Sequence, residues 1–440
     1  MIDTPSFQRL RQLKQLGLGH LTYPNASHTR FAHSLGVLAI MAKVIAVARD
    51  QIHLDEDTGD DLRLCALLHD VGHYPYSHLM ERLDRVTLTE ELTGVRPPRP
   101  LALGRPVYPD HEELGRIIVT EQDDLRSALG GLDRATRIAS LFTRSAAADV
   151  QISKLIHSSL DMDRLDFLLR DARSAGVPYG EIDLDYLLNN LRASPTGMIG
   201  IALKALPAAE QFLVARYFMY RTVYYHKTTY GMEEALRQLL RRCRDENIGD
   251  LPADGDAMRR IARDPLLLVE FNDNYADRVV HSALGNPNIV ISHLARCIAY
   301  RKPPKILREE VAVTSFAEEK LERHDAAASF LRRCEDRLAD LARKHGIELG
   351  LFLVGQVPPI KLEKRGNLLT QDQAKDQPSE AEDELIKVFV PGEVEPKSLI
   401  DIPQCLIKHC ASYVTRIVRL YVVEDDASKI EALRAEVRCW

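Results

Sequence analysis

Residues 64–78 read Leu-Cys-Ala-Leu-Leu-His-Asp-Val-Gly-His-Tyr-Pro-Tyr-Ser-His. The stretch begins as an apolar helix and ends at a glycine and a proline. The helical period places Cys65, Ala66 and His69 on one face, so the imidazole of His69 should lie at the edge of a buried surface. Asp70 follows directly and points to a different side of the helix. Two potential metal ligands at consecutive positions suit one ion only if other helices supply further ligands.

The composition is that of an ordinary globular protein. The chain has 440 residues, 45% hydrophobic and 28% charged, with a formal net charge of −6. This length is enough for about two or three domains. The acidic balance disfavours a long nucleic-acid track, although it allows a local basic pocket, so a nucleic-acid partner stays open without being favoured.

The cysteines and the N-terminal segment bear on location. Seven cysteines lie scattered without CxxC spacing, which predicts reduced thiols and no cysteine metal site. The first residues lack the apolar core of a signal peptide. No apolar run is expected to reach the roughly 18 residues of a membrane span, so we expect no membrane partner. The resulting expectation is a cytoplasmic protein.

Hydrophobic periodicity predicts a mainly α-helical fold. The predicted helices cover residues 7–16, 30–50, 147–176 and 208–244, one begins at 110, and others follow to about 344. Strand-like runs follow at residues 347–354, 386–390 and 419–423, and residues 370–384 are polar enough to form a mobile loop. We therefore predict a large helical domain over residues 1–310 and a smaller α+β C-terminal lobe over residues 311–440.

Four residues that lie far apart in the chain offer metal ligands: His33, His69, Asp70 and Asp163. Imidazole nitrogen and carboxylate oxygen together suit divalent ions such as Zn, Fe, Mn or Ni. Each residue alone has a plainer interpretation as a helix cap or a hydrogen-bonded core residue, which we would favour for His33. The pair His69–Asp70, followed closely by His73 and His78, is costly to bury unless it has a function.

These residues resemble the H…HD…D signature of the HD phosphohydrolase superfamily. Within it, the chain resembles the deoxynucleoside triphosphate triphosphohydrolases of the SAM- and HD-domain type and their bacterial relatives. The similar stretches are residues 2–17, Ala26-Ser-His-Thr-Arg-Phe-Ala-His-Ser-Leu-Gly36, residues 69–78, Asp161-Met-Asp-Arg-Leu-Asp-Phe167 and residues 419–440. The resemblance implies an HD domain with a C-terminal lobe. It also implies metal-dependent hydrolysis of a deoxynucleoside triphosphate to deoxynucleoside and inorganic triphosphate.

The resemblance also implies roles for individual residues. His33, His69, Asp70 and Asp163 would bind a divalent ion (Mn, Fe, Zn, Ni or Mg). The histidines that would flank the scissile phosphate are His73, His78 and His111. Of these, His78 and His111 are favoured for proton transfer, because the ordinary pKa of histidine lies near neutrality. The implied substrate-binding residues are Gln15, Leu16, Arg30, Arg164, Phe167, Asp171, Arg216, Tyr224 and Tyr225.

Three positions depart from the family pattern. Phe167 replaces a tyrosine, Tyr225 replaces a glutamine, and Glu81 replaces an aspartate near the histidines. The departures leave the reaction type intact but leave open the preferred base and the exclusion of ribonucleotides. For Tyr224, which would pack against the deoxyribose, a plain core aromatic is the alternative interpretation.

A second set of residues matches the family's regulatory, guanine-nucleotide-binding region: Asp3, Gln8, Arg11, His226, Lys227, Arg301 and Lys305. Aspartate and arginine complement the edge of a guanine. The resemblance therefore implies activation by GTP, dGTP or another dNTP, and a homo-oligomer, either dimer or tetramer. A capped N-terminal helix with an exposed arginine is the alternative.

Two other functions stay open. The chain could be an HD phosphohydrolase or phosphodiesterase acting on other nucleotides or on the ends of single-stranded nucleic acid. It could also be a nucleotide-sensing module with weak catalysis. The intact set of metal ligands and flanking histidines argues against a pure sensor.

Overall fold

The structure is a computed structural model. It describes residues 1–49, 54–84, 103–143, 155, 160–194, 198–315, 326–362, 385–393 and 395–440. Within these ranges the chain is mainly α-helical with two small sheets, as predicted for the fold class. The loop predicted over residues 370–384 and most of the first half of the helix predicted over 147–176 lie outside the described residues.

The helices that precede the first strand build the first part of the helical domain. They are α1 (Pro5–Gln8), α2 (Arg30–Ala48), α3 (Glu56–Leu68), α4 (His78–Glu81), α5 (His111–Glu121), α6 (Asp123–Ala128), α7 (Leu132–Phe142), α8 (Met162–Ala175) and α9 (Leu184–Asn189). The later helices are α10 (Leu206–Met219), α11 (Lys227–Asp245), α12 (Gly255–Arg263), α13 (Pro265–Glu270), α14 (Asp273–Ser282), α15 (Ile289–Ala299), α16 (Ala326–His345) and α17 (Ala427–Val437).

Three helices near the candidate site begin at an aspartate. Asp55 accepts a hydrogen bond from the backbone N–H of Thr58 at the start of α3. Asp110 and Asp161 do the same at the starts of α5 and α8. Each carboxylate satisfies a backbone donor that the first helical turn leaves without a partner. The caps therefore fix where these helices start and which residues stand at their ends.

The predicted N-terminal helix is shorter than expected. Residues 7–16 were expected to be one helix, but α1 is followed by a 3₁₀ turn, Arg9–Gln12. Leu13 is then extended, and Lys14 pairs with Thr29 in an isolated β-bridge. Because this pairing requires extended backbone, the helix cannot continue to Leu16.

Helix α2 corrects the expectation that no apolar run is long enough for a membrane span. Residues Arg30–Val47 are long and apolar enough by length and composition. Half of this window is buried inside the protein, however. α2 packs against α3 and α8, and Arg30 and His33 make buried polar contacts on it. These contacts are those of a core helix.

The strands form two sheets: β1 (Leu191–Ala193), β2 (Ile199–Ala202), β5 (Lys387–Phe389) and β6 (Lys397–Ser398) in one, and β3 (Lys305–Ser315), β4 (Phe352–Lys361) and β7 (Tyr413–Val422) in the other. The first has the order β1-β2-β5-β6, with only β2 and β5 parallel. The second is antiparallel with β7 in the centre. Its register shifts between Val357 and Ile360, where two prolines lack the backbone N–H that a ladder needs.

Strand β3 corrects another expectation. Helices were predicted to continue to about residue 344, yet Lys305–Ser315 is an eleven-residue strand that pairs with β7. Its C-terminal half alternates buried and exposed residues, which is the pattern of a half-buried strand. The proposed domain boundary after residue 310 falls within it. Helix α16 beyond it agrees with the prediction, and strands β1 and β2 were not predicted.

One continuous hydrophobic cluster links the helical part to both sheets. The seven cysteines all lie within the described ranges and form no disulfide there.

Candidate functional site

The predicted metal ligands come together where α2, α3 and α8 meet. His33 lies in α2, His69 and Asp70 directly follow α3, and Asp163 lies in the first turn of α8. Asp163 Oδ1 is 3.0 Å from His33 Nε2 and 3.8 Å from His69 Nε2. One ligand atom from each of these three residues lies within 4.8 Å of the other two. Two imidazoles and a carboxylate in this arrangement could hold a divalent metal ion.

Hydrogen bonds at Nδ1 orient both imidazoles. His33 Nδ1 lies 2.8 Å from Asp166 Oδ2, and His69 Nδ1 lies 2.9 Å from the carbonyl oxygen of Ala66. Donation from Nδ1 leaves Nε2 to act as a metal ligand. Both Nε2 atoms are buried and make no hydrogen bond to the part of the chain that the structure describes. Buried nitrogens without a hydrogen bond fit a metal-binding role.

Arg170 holds Asp166 in place, and the absence of a side chain at Gly36 leaves room for the Asp166 carboxylate. Arg170 donates to the two carboxylate oxygens, from Nε at 2.7 Å and from Nη2 at 2.9 Å. A Cβ atom at Gly36 would lie 1.9 Å from Asp166 Oδ1, which is far inside contact distance. Glycine at this position therefore allows the ion pair to dock against α2 and to support His33.

Asp70 lies beside these three residues, but other groups also hold its oxygens. Its Oδ2 accepts from Arg30 Nη1 at 2.5 Å, and its Oδ1 lies 3.0 Å from His73 Nε2 and 3.4 Å from His69 Nε2. Burial raises the pKa of Asp70, but Arg30 and His69 outweigh burial and hold the pKa well below its usual range. Asp70 thus connects the candidate metal ligands to the guanidinium of Arg30 and to the imidazole of His73.

The charges of the centre stabilise each other. Burial lowers the pKa of His33, but the nearby carboxylates of Asp163 and Asp166 outweigh it and raise the pKa to about 10. Burial raises the pKa of Asp163, yet the nearby imidazoles of His33 and His69 prevail and hold it far below its usual range. The carboxylate is therefore ionised at neutral pH, as a cation site requires.

His73, His78 and His111 form a second cluster around Glu81. The rings of His73 and His111 stack with centroids 4.2 Å apart, and His78 meets both edge-on at 5.0 Å. Glu81 Oε2 lies 2.9 Å from His78 Nδ1 and 3.3 Å from His111 Nδ1. One nitrogen from each ring lies within 4.8 Å of the others, so this cluster also has the spacing of metal ligands.

The two histidines that share Glu81 differ in basicity. Burial lowers the pKa of both, and at His78 it prevails. At His111 the hydrogen bond to Glu81 prevails and raises the pKa. Burial raises the pKa of Glu81, but the two histidines outweigh it and keep the carboxylate ionised. His111 is therefore suited to carry a proton and His78 to accept one.

Gly72 and Arg9 position the loop that carries this cluster. A Cβ atom at Gly72 would lie 2.1 Å from the carbonyl oxygen of His111, so only glycine lets α5 approach. Arg9 is buried and donates to the carbonyl of His73 at 2.6 Å and to that of Phe271 at 2.7 Å. The loop is thereby tied to two distant segments of the chain.

A cavity of about 650 Å³ opens from the metal centre. This volume lies in the usual range for sites that bind small molecules. The predicted substrate residues that line it are Gln15, Leu16, Arg30, Arg164, Phe167, Asp171, Tyr224 and Tyr225. Arg216 does not line it; its Nη2 donates to the carbonyl of Leu362 at 2.6 Å. The structure thus brings all but one of the predicted substrate residues together.

A row of aromatic rings runs along one wall of the cavity. Neighbouring centroids are 6.0 Å apart from Phe167 to Tyr224, 4.9 Å from Tyr224 to Tyr220, 5.6 Å from Tyr220 to Tyr225, and 6.1 Å from Tyr225 to Tyr230. Part of the row is a π-helical turn between α10 and α11. Such turns widen a helix and are frequent at functional sites.

Tyr224 is fixed within this row. Its hydroxyl donates to Asp171 Oδ2 at 2.8 Å, while the other oxygen of Asp171 lies 2.7 Å from His28 Nε2. This directional bond sets the position of the Tyr224 ring at the wall of the cavity.

The N-terminal residues of the predicted regulatory set contact each other. Gln8 Oε1 accepts from Arg11 Nε at 2.7 Å, and the Arg11 guanidinium lies 3.6 Å from the ring centroid of Phe31. Asp3 is exposed nearby in sequence. Of the alternative interpretation, a capped N-terminal helix with an exposed arginine, the structure shows the exposed arginine, but Thr4 at the start of α1 makes no capping side-chain hydrogen bond.

The remaining residues of that set lie on other elements. His226 accepts from the N–H of Thr228 at the start of α11, and Lys227 is exposed. Arg301 donates to the carbonyl of Leu21 at 2.7 Å, and Lys305 begins β3.

Several lining residues were not predicted: Arg82, Glu233, Glu234, Arg237 and Gln356. Sequence carries a signal for three of them. Glu233, Glu234 and Arg237 follow Tyr230 at the three-, four- and seven-residue spacing of one helical face, which is unusually polar for a buried helix. Asp166 follows Asp163 by three residues and so lies on the same face of α8, but this spacing does not reveal its bond to His33.

The chain is similar in sequence to several known proteins. Residues 30–166 match the HD domain family, and residues 182–278 match the HD associated region. The chain is 32% identical over 251 residues to the uncharacterized protein YwfO of Bacillus subtilis. This match covers 56% of this chain and 51% of that protein. It is 28% identical over 191 residues to the human deoxynucleoside triphosphate triphosphohydrolase SAMHD1, covering 40% of this chain and 30% of that protein. The chain spans about half the length of the curated relatives it matches first.

A solved structure extends the likeness to nearly the whole chain. The crystal structure of a phosphohydrolase from Bacteroides thetaiotaomicron matches with a TM-score of 0.67 at 22% identity, over 96% of this chain and 94% of that one. At this identity the match shows a common fold. The two matched family regions together cover more than half of the chain, and the first includes all four residues of the H…HD…D signature. The chain therefore belongs to the HD-domain phosphohydrolase superfamily.

Proposed function

We propose that this protein hydrolyses deoxynucleoside triphosphates to deoxynucleoside and inorganic triphosphate. His33, His69, Asp70 and Asp163 would bind the divalent ion, whether Mn, Fe, Zn, Ni or Mg. The observation that carries the proposal is the position of this ligand group beside a histidine cluster in one cavity of about 650 Å³. Membership of the superfamily supports phosphohydrolase chemistry. The partial similarity to a human enzyme named for dNTP hydrolysis supports the substrate.

The cavity supplies positive charge for the phosphates. Arg30 and Arg164 both line it and are held in place by carboxylates, Arg30 by Asp70 at 2.5 Å and Arg164 by Asp161 at 2.7 Å. Guanidinium groups fixed in this way bind phosphate oxygens and stabilise charge that develops in the transition state. A divalent ion, when bound, polarises a phosphoryl oxygen and activates water.

The second histidine cluster supplies the proton transfers. Hydrolysis to triphosphate breaks the bond between the α-phosphorus and the 5′-oxygen, so the departing oxygen needs a proton and the attacking water loses one. His111, whose pKa is raised by Glu81 after burial has lowered it, is suited to donate to the 5′-oxygen. His78, whose pKa burial lowers, is suited to accept.

The wall of the cavity next to this centre would bind the sugar. Tyr224 is held by Asp171, and Gln15 and Leu16 lie in the same lining. A ring fixed by a directional bond cannot move aside at low cost, so we propose that Tyr224 disfavours a 2′-hydroxyl group.

Regulation is a separate part of the proposal. Asp3 and Arg11 are exposed, as residues that bind an activating guanine nucleotide must be. We propose activation of a cytoplasmic homo-oligomer, dimer or tetramer, by GTP, dGTP or another dNTP. Sedimentation and activity with and without each nucleotide test this part. Unchanged assembly and rate would reject it without touching the catalytic proposal.

Product analysis tests the catalytic proposal. The purified protein is given each dNTP, each NTP or a short oligonucleotide with Mn or Mg, and the products are resolved by chromatography. We expect inorganic triphosphate from dNTPs. Monophosphate or pyrophosphate as the product would reject the proposed reaction, and preferential cleavage of the oligonucleotide would favour the phosphodiesterase alternative.

A matched pair of variants assigns the activity to this site. His69→Ala removes a ligand of the centre and should abolish triphosphate release. His293→Ala removes a half-buried histidine on α15 whose one hydrogen bond within the described residues is with the carbonyl of Ile289, and should leave the rate unchanged. Equal rates in both variants would place the activity elsewhere.

A further inference from the structure

The end of the cavity away from the metal centre has a polar wall of its own. Tyr230, Glu233, Glu234 and Arg237 share one face of α11 and all line the cavity. Arg82, just after α4, also lines this end, and β4 closes it with residues 356 and 358. The hydroxyl of Tyr230 donates to the carbonyl of residue 356 at 2.8 Å, which fixes the wall to the C-terminal lobe.

The two glutamates of this wall differ in their partners. Glu234 Oε2 lies 3.3 Å from Arg237 Nε and forms an ion pair with it. Glu233 lines the same cavity but has no hydrogen bond or ion pair within the described ranges. A half-buried carboxyl group without a partner costs free energy unless a ligand satisfies it. Glu233 is therefore the group at this end whose hydrogen bonds are left for a bound molecule.

The row of rings points from the sugar position to this carboxyl group. It begins at Phe167 and Tyr224, next to Asp171, and ends at Tyr225 and Tyr230 on the α11 side. Nucleobases stack on aromatic rings with little dependence on sequence. A base attached to a sugar beside Tyr224 can lie along the row with its edge toward Glu233.

We propose that Glu233, as a carboxylate, selects the nucleobase by accepting a hydrogen bond from an exocyclic amino group, so that dATP, dCTP and dGTP are used in preference to dTTP. This inference rests on the proposed function. Adenine, cytosine and guanine each present an amino donor, whereas thymine presents a single ring N–H between two carbonyl oxygens. Those carbonyl oxygens repel a carboxylate and leave it with at most one hydrogen bond.

The protonation of Glu233 determines whether thymine is disfavoured. Burial raises its pKa, Glu234 raises it further and Arg82 lowers it, which brings the value to about 8. The other titratable or charged groups at this wall are Arg237, Tyr225 and Tyr230. A neutral carboxyl group both donates and accepts, which matches the ring nitrogen and amino group of adenine or cytosine and equally the ring N–H and a carbonyl oxygen of thymine or guanine, so this form does not discriminate against thymine. An ionised one only accepts, which matches guanine best, with its two donors, and thymine worst. The preference over dTTP, strongest for dGTP, should therefore appear as pH rises through about 8.

The test compares kcat/KM for the four dNTPs, measured about one and a half pH units below and above this pKa. At the higher pH we expect the wild type to favour the amino bases over dTTP by about tenfold or more, and at the lower pH by about twofold or less. Glu233→Leu should reduce the preference at the higher pH to about twofold or less. Glu233→Gln, whose amide donates and accepts at every pH and so pairs with all four bases, should show about twofold or less at both pH values.

Glu234→Gln is the matched control. It should keep the preference for amino bases and move the pH transition downward, because a charge that raises the pKa of Glu233 is removed. Equal use of all four dNTPs by the wild type at the higher pH, or an unchanged preference in Glu233→Leu, overturns the inference while dNTP hydrolysis stands. If no dNTP is hydrolysed, the proposed function fails. Equilibrium binding of the four dNTPs to the same variants then decides the base preference by the same criteria.

Discussion

Asp166→Asn should weaken metal binding without removing a ligand. Asp166 accepts from His33 Nδ1 at 2.8 Å and from two nitrogens of Arg170 at 2.7 and 2.9 Å. Asparagine has one carbonyl oxygen and no charge, so it cannot satisfy both partners and leaves His33 less firmly oriented. Loss of such a supporting bond typically costs 10- to 100-fold in metal affinity, about 1.4–2.7 kcal/mol.

The assay is a competition titration of the metal-free protein with Mn or Zn against a chelating dye. Asp185→Asn is the matched control, because it removes an exposed carboxylate whose one ion pair within the described residues is with Lys43, at 2.9 Å. Gly36→Ala reaches the same site by another route, since its Cβ would displace the Asp166 carboxylate. It should weaken binding in the same direction.

A metal affinity of Asp166→Asn within about twofold of the wild-type value, with a circular dichroism spectrum of the folded state, would contradict this prediction. In that case the orientation of His33 would not depend on its Nδ1 partner. A loss equal to that of Asp185→Asn would lead to the same conclusion.

Three further perturbations test the second cluster and the sugar wall. Gly72→Ala should push the start of α5 and its His111 away, lowering kcat by about tenfold or more while metal affinity stays nearly constant; an unchanged kcat would contradict this. Glu81→Gln removes the carboxylate that raises the pKa of His111, so His111 loses its proton at a lower pH. The alkaline limb of the kcat profile should therefore move to lower pH, and an upward shift or no shift would contradict this prediction. Tyr224→Phe deletes the bond to Asp171 and should lower the free energy of unfolding by about 1.5 kcal/mol in urea denaturation. An unchanged free energy of unfolding would contradict this prediction.

The sequence was a good guide to residues whose chemistry is rare inside a protein. A histidine next to an aspartate at the end of an apolar helix has few structural explanations, and so His69 and Asp70 led to His33 and Asp163. The long amphipathic helices were also predictable, because their period persists over many residues.

Contacts that depend on packing across the chain could not be read in the same way. Periodicity places Asp166 on a face of α8 but does not say which side chain of α2 meets it. The need for glycine at Gly36 and Gly72 is visible only when the neighbouring backbone is in place. Strand β3 was mistaken for helix because its charged residues mask a pattern that only pairing with β7 stabilises. Arg216 was assigned by resemblance, yet it faces the C-terminal lobe.

The hydrogen bonds of Arg9 determine how much of the chain must be synthesised before the candidate site can form completely. One guanidinium joins the carbonyl of His73 to that of Phe271, across a separation of 262 residues from Arg9 to Phe271. On a ribosome that adds about 5–20 residues per second, the second of these carbonyls follows Arg9 by tens of seconds. Until then the loop beside the metal centre lacks one of its anchors. The growing chain therefore cannot present its finished centre to cellular metal until well over half of it has been made.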